Sequence, residues 1–178
     1  MDTIIGGKLF RWKSETFVMG VINVTPDSFS GDGINFNIDL AVEKALEFEK
    51  LGCHILDIGG ESTRPASIYP DARPVDVTEE IDRVLPIIEA LIGEIHVPVS
   101  IDTRKAKVAE AAISAGAGLV NDVSMMKDPQ MAAFLLKNDI PIMVSHIRPE
   151  GHTDDVVTDV IDDLGTVVKN LTEYGFDR

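Results

Sequence analysis

Residues 19–33 read MGVINVTPDSFSGDG. An apolar run, FVMGVI over 17–22, gives way at Asn23 to Thr25, Asp27, Ser28 and Ser30, and then to an aspartate flanked by Gly31 and Gly33. The first half has the composition of a buried strand, and the second has that of a polar loop with little side-chain bulk. A strand that ends in such a loop delivers small polar groups to one edge of a sheet. The question is whether other strands do the same.

Four more do. Short apolar runs recur at 54–58 (HILDI), 97–102 (VPVSID), 118–123 (GLVNDV) and 140–146 (IPIMVSH). They are near-continuous rather than alternating, the pattern of parallel strands covered on both faces. Amphipathic segments separate them. In DLAVEKALEFEKLG (39–52) an apolar stripe runs to a glycine stop at Gly52. TEEIDRVLPIIEALIG (78–93) is expected to open on Thr78, with Glu79 and Glu80 in its first turn and a kink at Pro86. RKAKVAEAAISAG stops at Gly116, DPQMAAFLLKN offers Asp128 as a cap before Pro129, and a last helix runs from about Asp154 to Tyr174. IIGGKLFRW near the N-terminus reads as a hairpin turning at Gly6-Gly7.

Repeated strand–helix units indicate an α/β fold. Five of them suit either an open doubly wound sheet or part of an eight-unit barrel, and in both the ligand lies at the carboxyl ends of the strands. The chain of 178 residues is read as one domain, 1–178. Its net charge of −14 argues against a nucleic-acid or acidic-membrane binder, and no apolar run approaches the roughly 20 residues that span a bilayer. A single cysteine, Cys53, fits a reducing, cytoplasmic compartment.

The strand ends carry Asn23; Asp57 followed by Gly59-Gly60-Glu61-Ser62-Thr63-Arg64-Pro65; Asp102-Thr103-Arg104; Asn121-Asp122; and His146 with Arg148. Asp102 and Asn121 together offer the acceptors and donor needed to read a flat heterocycle with adjacent N–H and C=O groups. Arg64, with Thr63 beside it, suits phosphate oxygens. Asn23 can present a carbonyl oxygen to a hard cation such as magnesium. Each residue has a plainer alternative: a strand-end Asp or Asn caps helices and braces loops, Arg64 pairs with Glu61, and His146 is a hydrogen-bonded structural residue. The acidic run Asp154, Asp155, Asp159, Asp162 and Asp163 reads as the solvated face of the last helix rather than a metal cluster. Met125-Met126 reads as gap-filling.

Taken together, VMGVINVTPDSFSGDG (18–33), DIGGESTRPA (57–66), VSIDT (99–103) and LVNDVS (119–124) resemble the dihydropteroate synthases in order and spacing. The resemblance implies an α/β fold of the TIM-barrel (β/α)8 type, with about the first five β/α units in this chain. It implies a folate-biosynthesis transferase that joins p-aminobenzoate to 7,8-dihydropterin-6-ylmethyl diphosphate and releases diphosphate, with Mg2+ as cofactor. By motif position, Asn23 resembles the metal residue, and Thr63, Arg64, Asp102 and Asn121 resemble pterin and diphosphate residues. Asp102 doubles as the catalytic anion beside the developing charge on the pterin methylene. Phe29 and Pro65 resemble the p-aminobenzoate pocket.

The family continues with three more strands bearing an aspartate, a lysine and an Arg-x-His pair, so little turnover is expected of these 178 residues alone. Two rival readings stand beside the synthase: a truncated, non-catalytic pterin-binding or assembly fragment that forms homo-oligomers through open sheet edges, and a related methyltetrahydrofolate methyltransferase. The fifth strand also departs from the family, with Ser145-His146-Ile147-Arg148 where Met-His-Met is usual. A polarizable packing surface is lost there.

Overall fold

The computed structural model describes residues 2–24, 37–62, 74–148, 151 and 153–177. An antiparallel hairpin of β1 (Asp2–Ile5) and β2 (Lys8–Arg11) comes first. Gly6 and Gly7 form its turn with φ of 54° and 79°, a double left-handed bend that glycine adopts without a steric penalty. The main sheet then follows in chain order: β3 (Met19–Asn23), β4 (Ile55–Gly59), β5 (Val99–Asp102), β6 (Leu119–Asp122) and β7 (Ile142–Val144), all parallel. Between and after them run α1 (Ile38–Lys50), α2 (Val77–Leu91), α3 (Ala106–Ser114), α4 (Met131–Lys137) and α5 (Val156–Tyr174).

Strand order decides between the two architectures. A doubly wound sheet reverses direction at a switch point, whereas here every new strand joins the same advancing edge. Successive helices likewise pack on one another, α1 on α2, α2 on α3 and α3 on α4. The fold is α/β and singly wound, of the TIM-barrel type, with five β/α units.

Single winding puts the helices on one face of the sheet only. Ile22, Leu56, Ile58, Val99, Ile101 and Val120 point to that face and join Ala41, Ala45, Val84, Ile88, Val108, Ala109 and Ala112 from the helices in the main core. On the other face Ile55 and Leu119 are sealed by Ile5 and Phe10 of the hairpin, with Phe17, Met19 and Met143 packed against them. Phe17 stands edge-on to both Phe10 and Trp12, at centroid distances of 4.9 and 5.3 Å. The hairpin therefore plugs the amino-terminal end of the sheet.

Helix boundaries follow the capping chemistry, with two corrections. Asp76, not Thr78, caps α2 by accepting from the Glu79 amide at 2.9 Å, and the helix continues through Pro86 to Leu91. Asp128 does not cap α4, which starts at Met131. One of its oxygens accepts from Gln130 N, but the other accepts from Ala106 N at 2.8 Å and so caps α3 instead. Among the described residues no helix is long and apolar enough to cross a membrane.

The seam between plug and sheet is tight at Gly118, where an added Cβ would lie 2.5 Å from Gly6 N and 2.7 Å from Gly6 Cα. Backbone cannot retract as a side-chain tip does. Gly118→Ala is expected to cost about 1–3 kcal/mol. By contrast, Gly165 lies in α5 with open space around it, and Gly165→Ala should stabilise by about 0.5–1 kcal/mol. Urea unfolding of both variants checks the opposite signs.

Candidate active site

In-register pairing converts four separate strand ends into one row. Asn23 pairs with Gly59, Gly59 with Asp102, and Asp102 with Asn121. Partners across parallel strands point the same way, so all four face away from the helices, on the side the hairpin leaves uncovered at the carboxyl end. Met143 takes the next place in the row, beside Asn121. The site-facing side of β7 thus keeps a methionine one alternation before Ser145.

Gly59 leaves a gap in that row. A Cβ built there would lie 3.5 Å from Asn23 Oδ1 and 3.6 Å from Asp102 Oδ2, so the two side chains flank an open slot. One residue pair deeper on the same face, Asp57 and Ser100 are in register. Asp57 is 2% exposed, and its Oδ2 accepts from Asn121 Nδ2 at 3.0 Å. That bond uses one of the two Asn121 N–H donors, and among the described residues Asn121 Oδ1, Asp57 Oδ1 and the hydroxyl of Ser100 have no hydrogen-bond partner. Acceptors left open in this way can be satisfied by a donor that enters the slot.

Charge at the row is acidic and hard to hydrate. Burial raises the Asp102 carboxyl to about 7, helped by the carboxylates of Asp57, Glu80 and Asp122 and opposed by Arg104. Asp57 is also raised, by burial first, against the lowering pull of Ser100 and Asn121. Sequence reasoning noted Asp57 as a strand residue but gave it no role, because its importance lies in cross-strand register. Asp122 fits the plainer reading: its Oδ1 accepts from Ser124 N, Ser124 Oγ at 2.7 Å and Met126 N, bracing the turn in which Met125 and Met126 hold φ near +60°.

Two parts of the expected site separate from the row. His146 Nε2 lies 2.8 Å from Asp163 Oδ2, and Arg148 spans Asp163 and Asp159 of α5. Asp159 is 8% exposed, so the acidic run is not wholly a solvated face: two of its members fix the segment after β7. The run holds no metal cluster, since no group of three His, Cys, Asp or Glu side chains able to hold an ion occurs among the described residues. Phe29, Thr63, Arg64 and Pro65 lie outside the described residues.

Residues 19–178 match the family described as pterin binding enzyme. The chain belongs to that family. It is 45% identical over 168 residues to the dihydropteroate synthase of Bacillus subtilis, covering 94% of this chain and 57% of that relative. A solved dihydropteroate synthase of Xanthomonas albilineans with 4-aminobenzoic acid superposes with a TM-score of 0.84 at 35% identity, covering 99% of this chain and 62% of that one. The same organism's enzyme in complex with 7,8-dihydropteroate gives 0.80 at 31% identity, covering 99% and 60%. The chain therefore spans 57% to 62% of the length of these dihydropteroate synthases.

The raised Asp102 carboxyl makes stability pH-dependent with a definite sign. A group that binds its proton more tightly when folded contributes fully below its unfolded value of 3.8, and the contribution is lost as pH rises through about 7. Asp102→Asn removes that loss. Relative to the parent, the variant should gain on the order of 2–4 kcal/mol between pH 4 and pH 8. Urea unfolding across that range measures the gain.

Proposed function

We propose that this chain is the pterin-binding part of a dihydropteroate synthase, working in the cytoplasm. The reaction joins the amine of p-aminobenzoate to the methylene of 7,8-dihydropterin-6-ylmethyl diphosphate. A C–N bond forms, the methylene C–O bond breaks with its electron pair leaving on diphosphate, and the amine nitrogen gives up one proton. The observation that carries this reading is the row Asn23–Gly59–Asp102–Asn121 with Asp57 beneath it: a slot walled by acceptors, suited to a flat, donor-rich heterocycle.

In this reading Asp102 and Asn121 hold the pterin edge, and Asp57 fixes the Asn121 carboxamide from below. Ionised Asp102 also lies beside the methylene as positive charge develops there, which lowers the barrier electrostatically. Its elevated pKa means that the anionic form grows in around neutral pH. Thr63 and Arg64 take the diphosphate, and Phe29 and Pro65 shelter the p-aminobenzoate ring.

The donor set also suits magnesium. Asn23 offers one neutral carbonyl oxygen at the edge of the slot, and among the described residues no carboxylate cage competes for the ion, which matches a cation that keeps waters and substrate phosphates as its other ligands. When bound, Mg2+ would neutralise charge on the departing diphosphate.

A second reading keeps pterin binding without turnover. It is favoured by apolar side chains left in solvent, Val21 on the site-facing sheet at 50% exposure and Val157 and Ile161 on α5 at 68% and 63%. These suit association with another chain or a second copy. Diphosphate release by these 178 residues given both substrates would exclude that reading. A discrete oligomer without turnover in size-exclusion measurements would support it.

For the binding site itself, calorimetric titration with 6-hydroxymethyl-7,8-dihydropterin is the test. Asp102→Asn and Asn121→Ala should each weaken binding by about 10-fold or more, the loss of one or two well-aligned hydrogen bonds. Asp162→Asn, on the exposed side of α5, should leave it unchanged. Equal affinities for all three variants would refute the site.

A further inference from the structure

A carboxamide has two ends that differ in chemistry but hardly in shape. A half-turn of its terminal torsion exchanges oxygen for nitrogen, so Asn121 by itself can offer the slot an acceptor or a donor at the same place. What removes the choice lies one layer deeper. Asp57 on β4 and Asn121 on β6 have β5 between them, yet their side chains meet, Asp57 Oδ2 accepting from Asn121 Nδ2 at 3.0 Å. By register the bond crosses β5 between Ser100, the partner of Asp57, and Asp102, the partner of Asn121. Asp57 is 2% exposed and Ser100 fully buried, so the contact is made away from water.

The direction of that bond follows from the carboxyl group. An ionised Asp57 only accepts, and one that holds a proton on Oδ1 still presents Oδ2 as an acceptor. In either state the Asn121 nitrogen must face Asp57. Turning the amide over would set two oxygens against each other in a buried place, which is costly. Asn121 Oδ1 is thereby fixed on the side away from Asp57 Oδ2, and among the described residues it has no hydrogen-bond partner. Nδ2 carries a second N–H beside it. The row that flanks the slot therefore holds an acceptor and a donor side by side, in one order only. Their complement is a ring edge with an exocyclic amino group next to a ring nitrogen bearing a lone pair, as in a pterin. The 2-oxo counterpart, a lumazine, carries a carbonyl next to a ring N–H, which is the reverse order.

We propose that Asp57 is a specificity-determining positioning residue: by holding the Asn121 nitrogen it makes the slot select a 2-amino ring over the 2-oxo ring of the same shape. The proposal rests on the functional reading given above, in which Asn121 holds the pterin edge. Asp57 exerts this selection through Asn121.

The test is calorimetric titration of the 178-residue chain with 6-hydroxymethyl-7,8-dihydropterin and, separately, with 6-hydroxymethyl-7,8-dihydrolumazine. The parent should bind the pterin about 10-fold or more tighter, because the lumazine sets donor against donor and acceptor against acceptor. In Asp57→Asn the new carboxamide both donates and accepts, so Asn121 can take either orientation. The affinity ratio should then fall about 5-fold or more, with pterin binding weakened and lumazine binding strengthened. Asp57→Ser, whose hydroxyl also plays both roles, should act in the same direction and serves should the asparagine form fail to fold. Asn121→Ala should lower the ratio as well. Adding Asp57→Asn to it should change the ratio by no more than about 2-fold, since a residue that acts through another is silent once that other is gone. Asp122→Asn is the control. Asp122 is a fully buried carboxylate that braces the turn after β6 through Ser124, so its loss should lower stability and leave the ratio unchanged.

An unchanged ratio in Asp57→Asn, or a parent that binds both rings equally, would overturn the role of Asp57 and leave pterin binding standing. Equal losses for both rings would overturn it too, showing a general structural role. So would a ratio that falls as far in the Asn121→Ala background as in the parent. Failure of the parent to bind either ring would remove the functional reading and the proposal together.

Discussion

Everything at the site depends on parity. In a parallel sheet, side chains two apart share a face, and in-register neighbours line up across strands. A one-residue slip of β5 against β4 would turn Asp102 into the helix-packed core and bring Ile101 to the slot. The register is held because the helix-facing positions are branched apolar residues with no tolerance for a carboxylate. Ile22, Ile58 and Ile101, each at most 1% exposed, lock the strands through the core that the helices bury. The same burial that stabilises the fold therefore aims the acceptors.

The acceptors come at an electrostatic cost. Asp57, Glu80 and Asp122 all act on Asp102 within a chain whose net charge is already −14. Three devices contain the repulsion. A proton held on Asp102 to about neutral pH removes one charge, an amide donor engages one oxygen of Asp57 and a hydroxyl one oxygen of Asp122, and Lys105 bridges Glu80 and Glu61 with Arg104 as a second cation on Glu61. An anionic site built this way favours ligands that bring donors or positive charge, and it needs local cations to accept a diphosphate.

Much of this was legible in the residues. Each of the five strands sits on its apolar run, β3 and β4 ending one residue beyond it at Asn23 and Gly59, and the glycine stops at 52 and 116 carry the positive φ that ends a helix. What could not be read was non-local. Near-continuous apolar strands conceal which face is covered, because winding direction depends on how helices pack, not on any one strand. The cap of α2 was misplaced because Asp76 and Thr78 both satisfy the local rule, and only Asp76 reaches the Glu79 amide. Asp128 was misjudged because its better donor, Ala106 N, lies 22 positions away. Asp57, Glu61, Glu80 and Lys105 gained meaning only when strands and helices far apart in the chain met. The motif strings pointed to the family, while the register supplied the reason those strings work.

The hairpin at the amino-terminal end adds a last consequence. Ile5, Phe10 and the aromatic stack with Trp12 and Phe17 pack an apolar floor beneath the strands, on the side of the buried carboxylates. The hairpin closes one end only: β3 and β7 are the outer strands of the sheet, and Val21, in register with Asp57, is half exposed. The dielectric around Asp57 and Asp102 is therefore set from the carboxyl end, where an arriving ring displaces water from above the floor that the hairpin lays below.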